Sequence, residues 1–242
     1  MPFKPLRLSF ADLDLEIRAF TDLTARLFLE EESIHVLTAY RERLGTLYRG
    51  AARAAFVDWE IPKETPVVTV KSSDYDRAAT RTVHAEMSGR AKIKRIGNDL
   101  EFDDVATVIR IVETTNSGPT TLGAFHFDIG VVSGPGAFFH TKAEGEVEFP
   151  PEIPVPRMLG LPLMPVGALE FVIGELFQKR WPMHVDVDRR EVIEWRSVQA
   201  RRLFHYLNIL RKHIVRQEQT PMVLLKRWKP EAANLFETDV HR

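Results

Sequence analysis

Residues 91–113 read AKIKRIGNDLEFDDVATVIRIVE, and the reading of this stretch decides the fold. On either side of Ile96-Gly97-Asn98-Asp99 the chain is rich in β-branched and apolar residues that alternate with polar ones, the two-residue period of a half-buried strand. Gly97, Asn98 and Asp99 all tolerate turn geometry. A connection this short favours antiparallel neighbours, since a parallel pair needs a crossover of a dozen residues or more. The same pattern recurs outward at residues 67–70, 80–87, 122–132 and 137–149, with Gly, Asn, Asp and Ser clusters between the runs. A meandering antiparallel sheet is expected over residues 67–149.

The period changes to that of a helix on both flanks. Leu13, Ile17, Phe20, Leu23 and Leu27 recur at three- and four-residue steps, and after Glu30-Glu31-Glu32-Ser33 a second stripe follows at Ile34, Leu37, Leu44, Leu47 and Tyr48. Alanines at 51–55 are expected to prolong it. Beyond the sheet, the proline-rich residues 150–156 cannot donate enough backbone hydrogen bonds for a central element and read as a stiff connector. Pro165 suits the first turn of a helix that Trp181-Pro182 would stop. Residues 183–187 form a short strand candidate. Asp188 and Glu191 make a capping pair for a long helix to about residue 217, and a last short helix follows Pro230. The expected architecture is α+β in a single domain over residues 1–242. It comprises a helical part at 1–60, an antiparallel sheet at 67–149 and a helical part at 165–242, with the C-terminal helices packed on one face of the sheet beside the N-terminal helical pair.

The composition of the 242 residues, 44% hydrophobic and 28% charged, excludes a disordered or low-complexity chain. The absence of cysteine excludes disulfides, thiolate zinc sites, iron–sulfur clusters and a cysteine nucleophile. Asp12, Asp14 and Glu16 precede any apolar run of signal-peptide length, and residues 158–169 are too short and too broken by Pro162 and Pro165 to span a bilayer. Cytoplasmic residence without a membrane partner is the expectation. Cofactors stay unspecified. The formal net charge of −1 hides an asymmetry: residues 179–229 carry 13 basic against 5 acidic side chains, while residues 1–178 carry 19 against 26. Such a basic region can meet nucleic acid, an acidic protein partner, or the acidic first part of its own chain.

Three constellations could carry chemistry. In the first, Ser133-Gly134-Pro135-Gly136 joins the segments of His126-Phe127-Asp128 and Phe139-His140-Thr141 into one hairpin. Any even antiparallel register places His126, Asp128 and His140 on one face, and an index sum of 266 sets the two histidines opposite each other. Two imidazoles beside a carboxylate suit general acid–base catalysis or a three-ligand metal site, and they equally suit a polar sheet face. In the second, His184, Asp186 and Asp188 would share one face of a strand and form a hard-metal half-site. The third is a stripe on the long helix: Arg201, His205, Asn208, Lys212 and Arg216, flanked by Arg196, with Lys226 and Trp228 following as a cation beside a stacking surface. Its bland counterpart is the solvated side of an amphipathic helix. Phosphate-loop, dinucleotide, zinc-protease and serine-hydrolase signatures are absent from the sequence.

The order His126-Phe127-Asp128, a Gly/Pro turn, Phe139-His140, Ile153-Pro154-Val155-Pro156-Arg157 and Pro165 before an apolar helix resembles an uncharacterised family of bacterial proteins, one of the domains of unknown function. The resemblance covers about residues 123–182. It implies a bacterial mobile-element or phage-defence setting and supplies no reaction. The leading expectation is a nucleic-acid-associated protein, an RNA- or DNA-processing component. The rivals are a non-enzymatic interaction or homo-oligomerisation module and a metal-dependent hydrolase built on the histidine hairpin.

Overall fold

The computed structural model describes residues 6–50, 55–75, 80–129, 139–144, 158–159, 161 and 163–215; residues 6, 139–144, 158–159, 205, 209–210 and 212–215 are described by their backbone alone. The chain runs β1 (Leu6–Ser9), α1 (Phe10–Thr24), α2 (Glu31–Arg49), β2 (Val57–Ile61), β3 (Val67–Val68), β4 (Val83–Ile96), β5 (Asp99–Thr115) and β6 (Gly118–Ile129). It continues with β7 (Phe139–Glu144), β8 (Met158–Leu159), α3 (Pro165–Leu176), α4 (Arg180–Val185) and α5 (Arg190–Val215). The strands join one antiparallel sheet in the order β2-β4-β5-β6-β7-β8, with β1 added to β5 and β3 to β4. This is the α+β class.

The expected turn at 96–99 is the β4–β5 hairpin: Ile96 pairs with Asp99 across Gly97 and Asn98, and Gly97 takes the left-handed φ of 63° that its missing Cβ permits. Residues 80–87 and 91–96, read as two strands, merge from Val83 onward into the single strand β4. Gly89 does not break β4. It lies opposite Thr107, where an added Cβ would come within 3.3 Å of the Ala106 carbonyl and 3.7 Å of Pro165 Cγ. The residue marks the place where the first turn of α3 closes on the sheet, the alternative meaning of glycine inside a strand.

Alternation then sorts the sheet into two faces. Met87, Ala91, Val105, Thr107, Ile109, Phe127 and Ile129 are buried on one of them. On that face Tyr40 of α2 stacks on Trp59 at 4.0 Å between ring centroids, and Phe171 of α3 meets Phe127 edge-on at 6.1 Å. The other face carries Glu86, Ser88, Arg90, Val108, Arg110, His126 and Asp128. α5 packs chiefly along α1 behind the sheet-facing layer, with Trp195 against Phe20 at 5.3 Å.

Several boundaries differ from expectation for local reasons. Residues 57–60, placed in the helical part, form strand β2 together with Ile61, and Trp59 and Ile61 are buried in the core. Glu31 and Glu32 do not interrupt a helix; they occupy the first turn of α2, where carboxylates answer the helix dipole, while the Ser33 hydroxyl exchanges two hydrogen bonds with the Val68 backbone. Gly50, in extended conformation, ends α2 before the alanines. α3 stops at Leu176, and Trp181-Pro182 sits in the first turn of α4, where a proline lacks no needed donor. The 150–156 connector, the 133–136 turn and the helix after Pro230 lie outside the described residues. Among the described residues no helix is long and apolar enough to cross a membrane.

Candidate functional site

The β6–β7 register pairs Asp128 with His140 and His126 with Lys142. Its parity is even, so the positions of His126, Asp128 and His140 fall on one face of the sheet, opposite Phe127 and Ile129 and away from the helices. The histidines are not directly opposite: the register is two residues beyond the one that would pair them, and His140 sits across from Asp128. Through β5 the rows extend to Val108 and Ser88 beside His126, and to Ala106 and Arg90 beside Asp128. His126 and Asp128 are half-buried. Among the described residues no three His, Cys, Asp or Glu side chains converge as a metal site.

The strand expected to carry a His184, Asp186 and Asp188 half-site does not exist. His184 belongs to α4, its ring set edge-on against Phe28 at 5.0 Å and close to Trp181. Its Nε2 donates to the Leu23 carbonyl at 2.7 Å, which leaves Nδ1 to accept from Arg189 Nη2 at 3.0 Å. Asp188 is not committed to the start of α5 as a cap; its carboxylate lies 3.7 Å from Arg196. His184 is a positioned core-edge histidine that ties α4 to the end of α1.

The basic residues of α5 are largely answered within the chain. Arg196 donates to the Val185 carbonyl and faces Asp188, and Arg201 Nη2 meets Asp12 Oδ1 at 3.1 Å. Arg202, buried, closes a two-point ion pair on Glu16, and Gln199 Nε2 donates to the same carboxylate at 2.9 Å. In return Arg18 of α1 reaches Glu194 at 3.0 Å. His205 and Lys212 occupy positions on α5, while Arg216, Lys226 and Trp228 lie outside the described residues. Glu16 was readable in advance as a residue needing a partner, because a carboxylate next to Ile17 and one turn from Leu13 and Phe20 borders the apolar stripe of α1.

One cationic cluster remains open. A cavity of about 610 Å³ lies where the end of α1 meets the start of α5, lined by Arg18, Arg26, Arg189, Arg190 and His184, with Asp22, Glu191 and Glu194 among them. Glu194 serves both Arg18 and Arg190, and the hydrogen bond from Arg190 followed by the charge of Arg18 holds its carboxyl below the usual range. Arg189 bonds His184 and lies 3.5 Å from Glu191. Arg26, exposed, takes part in no ion pair among the described residues. Sequence reading missed the cluster because Arg26 and Arg189 are separated by most of the chain and no local pattern links them.

A second concavity, about 530 Å³, runs between α3 and α5, with Leu163, Phe171, Trp181 and Leu203 on its walls and Glu170 and Arg202 in its lining. Burial, reinforced by the nearby negative charge of Glu16, pushes the Glu170 carboxyl above the ordinary range; the Trp195 indole N–H opposes the rise without closing a hydrogen bond of normal geometry. No known protein family, curated protein or solved structure matches the chain. The assignment therefore stands on the α+β architecture and on these sites alone.

Proposed function

We propose that the chain is a nucleic-acid-associated protein that takes phosphate groups at the arginine-lined cavity between the end of α1 and the start of α5. The observation that supports the reading is the gathering of Arg18, Arg26, Arg189 and Arg190 around one open cavity at the N-terminus of a 26-residue helix. Guanidinium groups and the positive end of a helix dipole both favour a phosphate oxygen, and Glu194 already fixes two of the four arginines in place. The exposed Arg211, about 32 Å further along α5 at 1.5 Å per residue, would extend the same track. A cytoplasmic protein of a bacterial mobile-element or defence module accords with this reading.

Binding of labelled single-stranded RNA and DNA, measured over a salt series, tests it. Three or four phosphate contacts on a single strand give a log–log slope of about −2 to −3. Absence of salt-sensitive binding to RNA and DNA removes the proposal, and a defined homo-oligomer found at the same time would favour the interaction-module reading. A metal-dependent hydrolase remains a second reading, favoured by one observation, the even register that sets His126, Asp128 and His140 on a common face. It requires that activity copurify with stoichiometric metal and vanish in His126→Ala.

A further inference from the structure

Two glycines one double turn apart, Gly167 and Gly174, line the α3 wall of the groove between α3 and α5. At Gly167 an added Cβ would lie 3.7 Å from Gln199 Oε1 and Leu163 Cδ2, and at Gly174 it would lie 3.5 Å from Trp181 Cδ1. Residues seven apart on a helix share a face, and Glu170 and Phe171 stand between them on that same face. The opposite wall is α5, with Ala200 and Leu203 exposed along it. A concavity of about 530 Å³ falls in the size range that encloses a small organic ligand.

The polar groups of the groove are not balanced. Arg202 is the one cationic side chain among its described lining residues, and its guanidinium is closed on Glu16 at 2.7 and 2.9 Å. Gln199 directs its amide nitrogen to Glu16 as well. Against that internally satisfied set stand two carboxyls, the partly buried Glu170 and the exposed Glu175. Phe171, half exposed, and Trp181, buried, add aromatic rings to the lining beside them.

We infer that this groove binds a small lipophilic ammonium ligand, its apolar body between Phe171, Trp181 and Leu203 and its cationic head on Glu170. A cation is selected over a neutral group because it meets an acceptor-only carboxylate, and over an anion because the one arginine present is already spent. The site shares no lining residue with the arginine cavity. Apolar walls supply affinity and the carboxylate supplies selectivity, the division usual in small-molecule sites.

Calorimetric titration of the whole chain with phenethylamine, phenethyl alcohol and hydrocinnamate tests the inference, three probes of one shape that differ in head-group charge. The amine is expected to bind at least about tenfold more tightly than the alcohol, a difference of about 1.4 kcal/mol, and the acid not measurably. Glu170→Gln is expected to bring amine and alcohol to similar affinity. Ala200→Trp, which fills the groove from an exposed position, is expected to abolish binding of both while the thermal transition stays in place. Equal binding of amine and alcohol by the unmodified chain, tighter binding of the acid, binding of none of the three, or full amine affinity in Ala200→Trp each overturns the assignment.

Discussion

Arg202 Nη1 and Nη2 grip Glu16 Oε1 and Oε2 at 2.7 and 2.9 Å, joining the middle of α5 to the middle of α1 where the two side chains are 6% and 0% exposed. The pair accounts for part of the charge asymmetry of the chain: the acidic N-terminal part and the basic long helix meet each other. Asp12 with Arg201 repeats the relationship on an exposed flank of the same interface, and Arg18 with Glu194 crosses it with the charges reversed.

Removing one partner should cost far more than the pair itself contributes. Arg202→Met leaves a buried carboxylate with Gln199 as its remaining side-chain donor, and a loss of roughly 3–5 kcal/mol is expected in urea unfolding. The double variant Arg202→Met with Glu16→Leu should recover most of that loss, since the uncompensated charge disappears with it. A double variant as unstable as the single one would show that the pair holds the helices by geometry rather than by charge compensation.

Glu170 gives a pH dependence of determined sign. Burial holds its carboxyl above the usual 4.5, so the folded chain binds this proton more tightly than the unfolded chain. Its contribution is full below the unfolded value and is lost as pH rises through the higher folded value. Glu170→Gln, neutral at every pH, should therefore match the parent in acid and exceed it in stability at neutral pH. Paired thermal melts from acidic to neutral pH check this; a difference that stays constant with pH would mean that Glu170 does not titrate in that window.

Gly89 tests the contact between α3 and the sheet. Gly89→Val places branched carbon against the Ala106 carbonyl and Pro165, and neither backbone nor ring can yield much. A loss of roughly 1–3 kcal/mol in chemical denaturation is expected, in the range of an overpacked core. A gain, on the grounds that valine suits strands better than glycine, would mean that α3 is free to lift from β4.

The hairpin at 96–99 was legible because turn chemistry and a two-residue period agree there. The same logic failed at Ser88-Gly89-Arg90, where a glycine needed for close approach of α3 looks locally like a glycine needed for a turn. His184-Val185-Asp186-Val187-Asp188 alternates as a strand would, yet the ring contacts of Trp181 and His184, three residues apart, with Phe28 select a helix; those contacts are tertiary and leave no mark in five residues. For the histidine hairpin, alternation made the consequence of an even register readable, while the register itself depends on how residues between β6 and β7 are connected. The arginine cavity and the α3–α5 groove were not readable, since each is assembled from elements that only packing brings together.

The two possible tracks for a nucleic acid, the cavity and the exposed stripe of α5, separate by salt dependence. Arg26 lines the cavity with no ion pair among the described residues, so Arg26→Gln should remove one phosphate contact, weaken binding alike for every sequence, and reduce the salt slope on a single strand by about 0.7. Arg201 is held on Asp12 at 3.1 Å, and moving it to a phosphate would strip Asp12 of that partner, so Arg201→Gln should leave the slope almost unchanged. The comparison is read by anisotropy on one labelled single strand, with unfolding curves confirming that both variants keep their fold. If Arg201→Gln lowers the slope and Arg26→Gln does not, phosphates follow the α5 stripe, the cavity is structural, and the proposed binding site is wrong.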